Sequence, residues 1–309
     1  MELNKPLNLL PENIVNLSAI TTDRVLLPAF DNHNIKLDVL RLDKIHPVIS
    51  GNKWFKLQYY LQDAIQHNKH IITFGGAYSN HIIATASAAC GAGLTSTGII
   101  RGEQPAILSH TLVDAMQYGM QLQFISRNLY NQKNDPAFIQ QLNRDYQHPC
   151  IIPEGGEGET GIKGAAEILQ LVDLNKFTHI VCAVGTGTLL TGLLNSSSVN
   201  QQVIGIPVLK GFEDWSPPFV STEQKQRLII INDYHFGGYA KKNGALFGFM
   251  NEWYKATAIP SDFVYTGKLF YAVNDLVQKN FFPEKSRLLV IHSGGLQGNK
   301  SLPAKTLDF

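Results

Sequence analysis

The 309 residues carry 26 Lys and Arg against 25 Asp and Glu, a formal net charge of +1, with 44% apolar and 17% charged residues. That balance excludes a disordered or collagen-like chain, and with no long Lys/Arg run it speaks against a partner that is nucleic acid. At about 150 residues per domain the length suggests two domains or lobes, large enough to fold without a disulfide or structural metal.

In chain order, the start MELNKPLNLLPEN has no apolar core of signal-peptide length, and no later stretch approaches the roughly 18 apolar residues of a membrane span. Short Val/Ile-rich runs then alternate with segments of helical period. The runs are IKLDVLRL from Ile35, HIITF from His70, STGII from Ser96, QLQFI from Gln121 and CII from Cys150. HIVCAV from His179, QVIGIPVL from Gln202, RLIII from Arg227 and RLLVI from Arg287 come after them. Between them, FKLQYYLQDAIQ, NHIIATASAACGA, LSHTLVDAMQYG, AFIQQLNRDY and IKGAAEILQLV space their apolar residues as helices do. The alternation predicts βαβ units around mostly parallel sheets, woven by one chain without linker or repeat. The three cysteines, Cys90, Cys150 and Cys182, are odd in number and lack CxxC spacing, as in a reducing compartment. The expectation is a soluble, cytoplasmic α/β protein.

Glycine pairs or clusters stand at four predicted strand ends: Gly75-Gly76, Gly155 to Gly161, Gly185/Gly187 and Gly294-Gly295. Such places either floor a ligand site, where helix N-termini meet the carboxyl ends of strands, or simply turn the chain. AVGTGTLLTG, from Ala183, offers bare backbone N–H groups plus the Thr186 and Thr188 hydroxyls at a helix start, a cradle for one phosphate neutralised without lysine. Leu190 breaks a dinucleotide GxGxxG, and Ile162 stands where a Walker loop needs lysine. In ISGNKWFKL, Ser50 and Asn52 read as caps that place Lys53 at a helix N-terminus, where the dipole disfavours the cation and favours the neutral amine that Schiff-base chemistry needs. Lys56 is either a second charge acting on Lys53 or a solvated side chain. In FGGAYSNH the helix begins about Ser79. Ser79, Asn80 and His81 there either bind a substrate carboxylate or make an ordinary cap. Metal-ligand spacing and a GxSxG elbow are both missing from the sequence.

Taken in order, LRLDKIHPVISGNKWFKL, FGGAYSNH, IIPEGGEGETGIKGAAEI, the Gly185 loop, VYTGK from Val264 and IHSGG from Ile291 resemble the pyridoxal-phosphate enzymes of fold type II, the tryptophan-synthase β-like family. Within it the chain is similar to the branch holding D-cysteine desulfhydrase and 1-aminocyclopropane-1-carboxylate (ACC) deaminase. The resemblance implies two α/β lobes of twisted, mostly parallel sheets flanked by helices. A small domain of residues 54–154 would be inserted into a large cofactor-binding domain of 1–53 plus 155–309, in a homodimer. It implies pyridoxal phosphate joined covalently to Lys53, its ring hydroxyl met by Asn80, its phosphate by Gly185, Thr186, Gly187 and Thr188, and its pyridine nitrogen by Ser293 beside Gly294. Ser79 would act in proton transfer, and Ser79, Asn80, His81, Tyr239 and Tyr265 would face a small amino-acid substrate, with Tyr265 also catalytic. D-Cysteine is the substrate implied first and ACC second, because Val290 stands where the deaminase carries a tyrosine. Tyr78, where well-known members carry glutamine, and the acidic EGETG loop would reshape the pocket. The reading from another class is a non-catalytic protein that binds a phosphate ligand through the Gly185 loop.

Overall fold

A computed structural model describes residues 10, 11, 13–67 and 69–309. Most of the N-terminal stretch in which a leader would lie falls outside them. Among the described residues are ten strands: β1 Thr22–Val25, β2 Lys36–Arg41, β3 His70–Gly75, β4 Thr95–Arg101, β5 Gln121–Ile125, β6 Cys150–Ile152, β7 His179–Val184, β8 Gln202–Pro207, β9 Leu228–Ile230 and β10 Arg287–His292. The helices are α1 Pro28–Asn32, α2 Asn52–Gln66, α3 Asn80–Gly91, α4 His110–Gln117, α5 Arg127–Tyr130, α6 Pro136–Asp145, α7 Glu159–Ala166, α8 Thr188–Ser196, α9 Thr222–Lys225, α10 Gly244–Thr257 and α11 Thr266–Gln278.

The strands form two sheets. One has six strands in the order β1-β2-β10-β7-β8-β9, parallel except for β1; the other has four parallel strands in the order β5-β4-β3-β6. The smaller sheet is built from residues 70–152, between β2 and β7 of the larger. β7 is buried at all six positions, and β3, β8 and β10 at five of six. Helices cover both faces of these strands, so their sequences read as continuous apolar runs.

All nine runs read as strands from the sequence form strands. β1 escapes that reading because it is a polar edge, TDRV, with Arg24 paired to Asp38 directly across on β2; charge at an edge discourages pairing with another chain but erases the apolar pattern. α10 and α11 escape it too. α11 opens on Thr266-Gly267, poor helix formers, and its start is fixed by Asp262 four residues upstream.

Three helices pack backbone to backbone. A Cβ on Gly164 of α7 would lie 1.8 Å from the Phe55 carbonyl oxygen of α2, and one on Gly192 of α8 would lie 2.6 Å from the Ala165 Cβ of α7. Backbones in such contact leave α2, α7 and α8 little freedom to slide.

Candidate active site

Beyond the carboxyl ends of β3, β4, β6, β7, β8 and β10 lies one cavity of about 570 Å³. The two sheets point these ends at each other, so the loops after them make its walls. Lys53, Ser79, Asn80, His81, Gly185, Thr186, Gly187, Tyr239, Tyr265, Ser293 and Gly294 all line it. These residues are separated by up to 241 positions in the chain. Thr188 stands behind the wall, buried, with its hydroxyl 2.9 Å from that of Thr186.

Lys53 is the second residue of α2. The cap there is Gly51, with φ 70° and no side-chain bond, which corrects the assignment of Ser50 and Asn52 as caps. Ser50 instead reaches toward the Asp43 carbonyl oxygen, at 3.4 Å. Gly51 is required sterically as well: its Cβ would fall 1.8 Å from the Ser293 carbonyl oxygen, to which the Asn52 N–H donates at 3.2 Å. The turn before Lys53 is therefore locked onto the turn that carries Ser293. Burial pulls the Lys53 amine down to about 8, against the opposing charge of Asp262.

Lys56, one turn on, is 4% exposed, so the solvated reading falls. Its amine is pushed well below the usual lysine range by burial first and the charge of Lys53 second. Its Nζ donates to the Gly155 carbonyl at 3.3 Å, and a Cβ on Gly155 would touch the Thr186 methyl at 2.9 Å. Through Gly155, a buried amine thus stands near the Gly185 loop, beside the cradle read from the sequence as neutralised without lysine. Gly187 caps α8 in the left-handed region at φ 88°, and a Cβ there would meet the Trp215 ring at 2.2 Å. The free N–H groups just beyond it give α8 an anion-binding end.

Ser79 is the N-cap of α3, its Oγ accepting from the His81 and Ile82 N–H groups at 3.2 and 3.4 Å. Both uses are as acceptor, so the hydroxyl proton is free to donate into the cavity. His81 is held neutral by burial and by the charges of Lys53 and Lys56. The Thr73 hydroxyl donates to the Ile152 carbonyl at 3.0 Å, so it accepts from His81 Nε2 at 2.8 Å, which leaves Nδ1 buried without a partner. Tyr265 and Tyr239 meet edge to face, ring centres 6.2 Å apart. Burial holds the Tyr265 phenol well above its ordinary pKa, so it stays protonated. Its backbone is set by Asp262, fully buried, whose carboxylate accepts from the N–H groups of Val264, Tyr265 and Thr266 and from the Thr266 hydroxyl at 2.8–2.9 Å.

Arg101, Glu154, Glu157, Asn52 and Gln297 also line the cavity, and sequence reasoning does not single them out as ligand-facing. Arg101 ends a strand, and nothing local marks it out. Tyr78 lines the mouth, 61% exposed, its ring 5.8 Å from that of His110. Val290 does not reach the cavity. It is fully buried in β10, opposite Val39 and Val181, so its lack of a phenol carries no information about the substrate.

No protein-family profile matches the chain. Individual relatives do. A candidate ACC deaminase of Pyrococcus horikoshii is 30% identical over 278 residues, covering 84% of this chain and 85% of the relative. The chain belongs to that family, the ACC deaminase and D-cysteine desulfhydrase branch of the fold type II pyridoxal-phosphate enzymes. The family's breadth shows in two further relatives. The mitochondrial bifunctional D-cysteine desulfhydrase/ACC deaminase of Arabidopsis thaliana is 28% identical, covering 94% of this chain and 80% of its own. D-Cysteine desulfhydrase of Klebsiella pneumoniae is 24% identical, covering 87% and 90%. Among solved structures, an ACC deaminase homologue superposes with a TM-score of 0.73 at 26% identity, over 91% of this chain and 90% of that one. Membership makes the chain an enzyme of the pyridoxal-phosphate lyase and deaminase class, which sets aside the non-catalytic reading. No helix among the described residues is long and apolar enough to cross a membrane.

Proposed function

We infer that the chain is a D-cysteine desulfhydrase, which converts D-cysteine and water to pyruvate, hydrogen sulfide and ammonia. The observation that carries this reading is Lys53: a buried amine near pKa 8, opening on a cavity flanked by two helix N-termini.

The residues fit pyridoxal phosphate. Two buried amines face the cavity, and among the described residues neither has a carboxylate in an ion pair, so the cavity calls for an anion. Lys53 would take the aldehyde. Gly185, Thr186, Gly187 and the N-terminus of α8, with Lys56 beside them, would hold the phosphate; Thr188 would act through Thr186. Asn80 would meet the ring hydroxyl, and Ser293 with Gly294 the ring nitrogen. Bound there, the cofactor supplies an electron sink for negative charge left at the substrate Cα.

The chain's own groups do the rest. The Ser79 hydroxyl and the Asn80 N–H, the one in the first turn of α3 that Ser79 does not take up, bind the substrate carboxylate, which fixes Cα near Lys53. Once free, Lys53 Nζ accepts the α-proton, a role suited to an amine whose pKa lies near 8. Tyr265, held protonated, donates a hydrogen bond to the departing sulfur, and Tyr239 steadies that phenol. His81, neutral, adds no competing charge. Assembly as a homodimer and cytoplasmic location belong to the same reading.

The test is the keto acid formed by cofactor-loaded protein given D-cysteine, L-cysteine and ACC separately. Pyruvate from D-cysteine alone is expected, and Lys53→Ala is expected to abolish it; activity surviving that substitution overturns the assignment. A second reading, ACC converted to 2-oxobutyrate and ammonia, is favoured by the paired phenols Tyr239 and Tyr265 at the cavity. Rapid 2-oxobutyrate from ACC would put it first.

A further inference from the structure

The motif VYTGK ends on a lysine that has no part in this chemistry. Lys268 lies in the first turn of α11, three residues past the capping Tyr265, and is fully buried. An ammonium in such a place is costly unless its protons are bonded. Its Nζ donates to the carbonyls of His235 and Gly238, at 2.9 and 2.8 Å. Both belong to the loop that ends on Tyr239.

That loop is strained. Phe236 within it and Ala240 just past it are held at positive φ, both 53°, while Gly237 and Gly238 take 95° and 119°, as glycine does freely. Non-glycine residues hold such conformations only where their surroundings over-determine them. Phe236 and Ala240 pack against Leu246, Met250, Phe263 and Val264, and α11 with its N-cap adds three contacts: Tyr271 packs edge to face on Phe236 at 4.9 Å, Lys268 binds the two carbonyls, and Tyr265 meets Tyr239. Tyr239 is itself 49% exposed, and the two carbonyls that Lys268 binds also accept from the Gly238 and Lys241 N–H groups, so the ammonium joins the turns of this loop to α11.

We propose that Lys268 is a positioning residue of the substrate site, whose ammonium ties the 235–239 loop to α11 and so holds the Tyr239 phenol beside that of Tyr265. The inference rests on the reading of the cavity as an amino-acid site, and it places the effect on substrate handling rather than on cofactor retention. Lys268→Met keeps the stem and removes the donors; Lys268→Gln keeps a donor on a shorter reach.

The experiment uses cofactor-loaded protein and two readouts. Without substrate, amide hydrogen exchange over residues 235–240 should speed up about tenfold or more in Lys268→Met and less in Lys268→Gln, with the cofactor absorption band unchanged. With D-cysteine, or ACC if that is the substrate turned over, Lys268→Met should lower kcat/KM about tenfold or more, as small misplacements of substrate-facing groups do. In a Tyr239→Phe background the same substitution should cost less than about twofold, because the group it positions is gone. Unchanged exchange overturns the latch whether or not the amino-acid reading holds. Equal losses in both backgrounds overturn its action through Tyr239. Should Lys268→Met fail to fold, Lys268→Gln carries both comparisons. Should no substrate be turned over, the functional reading fails, and exchange alone decides the latch.

Discussion

Lys53 and Lys56 differ by one helical turn, yet burial gives them separate work. Lys53, drawn down to about 8 and opening on the cavity, is the amine we propose reacts with a carbonyl. Only the unprotonated amine is a nucleophile, so the rate at which cofactor-free protein takes up pyridoxal phosphate should rise with pH, with a midpoint near 8. A midpoint near the ordinary lysine value would mean that Lys53 is solvated. Lys56, beside the Gly185 loop, is proposed to take up a proton and serve as a cation when the phosphate binds. Lys56→Met should weaken equilibrium binding of pyridoxal phosphate about tenfold or more, of the order of one charge-assisted hydrogen bond, while leaving that of pyridoxal nearly unchanged. Both lysines are visible in the sequence, but their burial is not.

Among the elements, the 262–268 turn shows how one buried carboxylate organises a site. Asp262 satisfies three backbone N–H groups and a hydroxyl at the start of α11, and its charge props up the Lys53 amine. Asp262→Ala leaves those donors unpaired and should cost about 2–4 kcal/mol of stability, measured by denaturant unfolding. Asp262→Asn removes the charge, so the pH midpoint for cofactor uptake should fall below that of the parent protein. A midpoint that stays put would uncouple Asp262 from Lys53. The sequence marks VYTGK as a motif but not the aspartate before it, because a carboxylate that binds the helix start from four residues upstream, with Tyr265 in the capping position, leaves no familiar spacing. Ser79, by contrast, sits in an ordinary capping position, and its role as cap is legible.

Over the whole molecule, stability should depend on pH through buried and half-buried imidazoles. His46, His70 and His179 are each lowered by burial, and His81 is lowered well below 6.5 by burial and two lysines. Folded pKa values below the unfolded value mean that the unfolded chain binds protons first as pH falls. Stability present above about 6.5 is therefore lost as the pH drops through the folded values. Asp43, held down by His292 and Arg41 against its own burial, has the same sign and loses its contribution further into acid, below the ordinary carboxylate range. The thermal midpoint should fall steadily from pH 7.5 to pH 5; a flat profile would mean these histidines are not buried in solution.

The strand runs, the helices between them and the glycine-rich strand ends are legible in the sequence because parallel strands covered on both faces need unbroken apolar residues, and because backbone that approaches a ligand needs glycine. Six short motifs in order carry the family and point to Lys53, Asn80 and the Gly185 loop as the proposed cofactor contacts. Tertiary structure alone decided the rest. It brought loops up to 241 residues apart to one cavity, locked the Lys53 turn onto the Ser293 turn, buried Lys56, Asp262 and Lys268, and put Val290 in the core. The physical reason is that a side chain's charge state depends on what surrounds it, and here those surroundings come from elements that are distant in the chain.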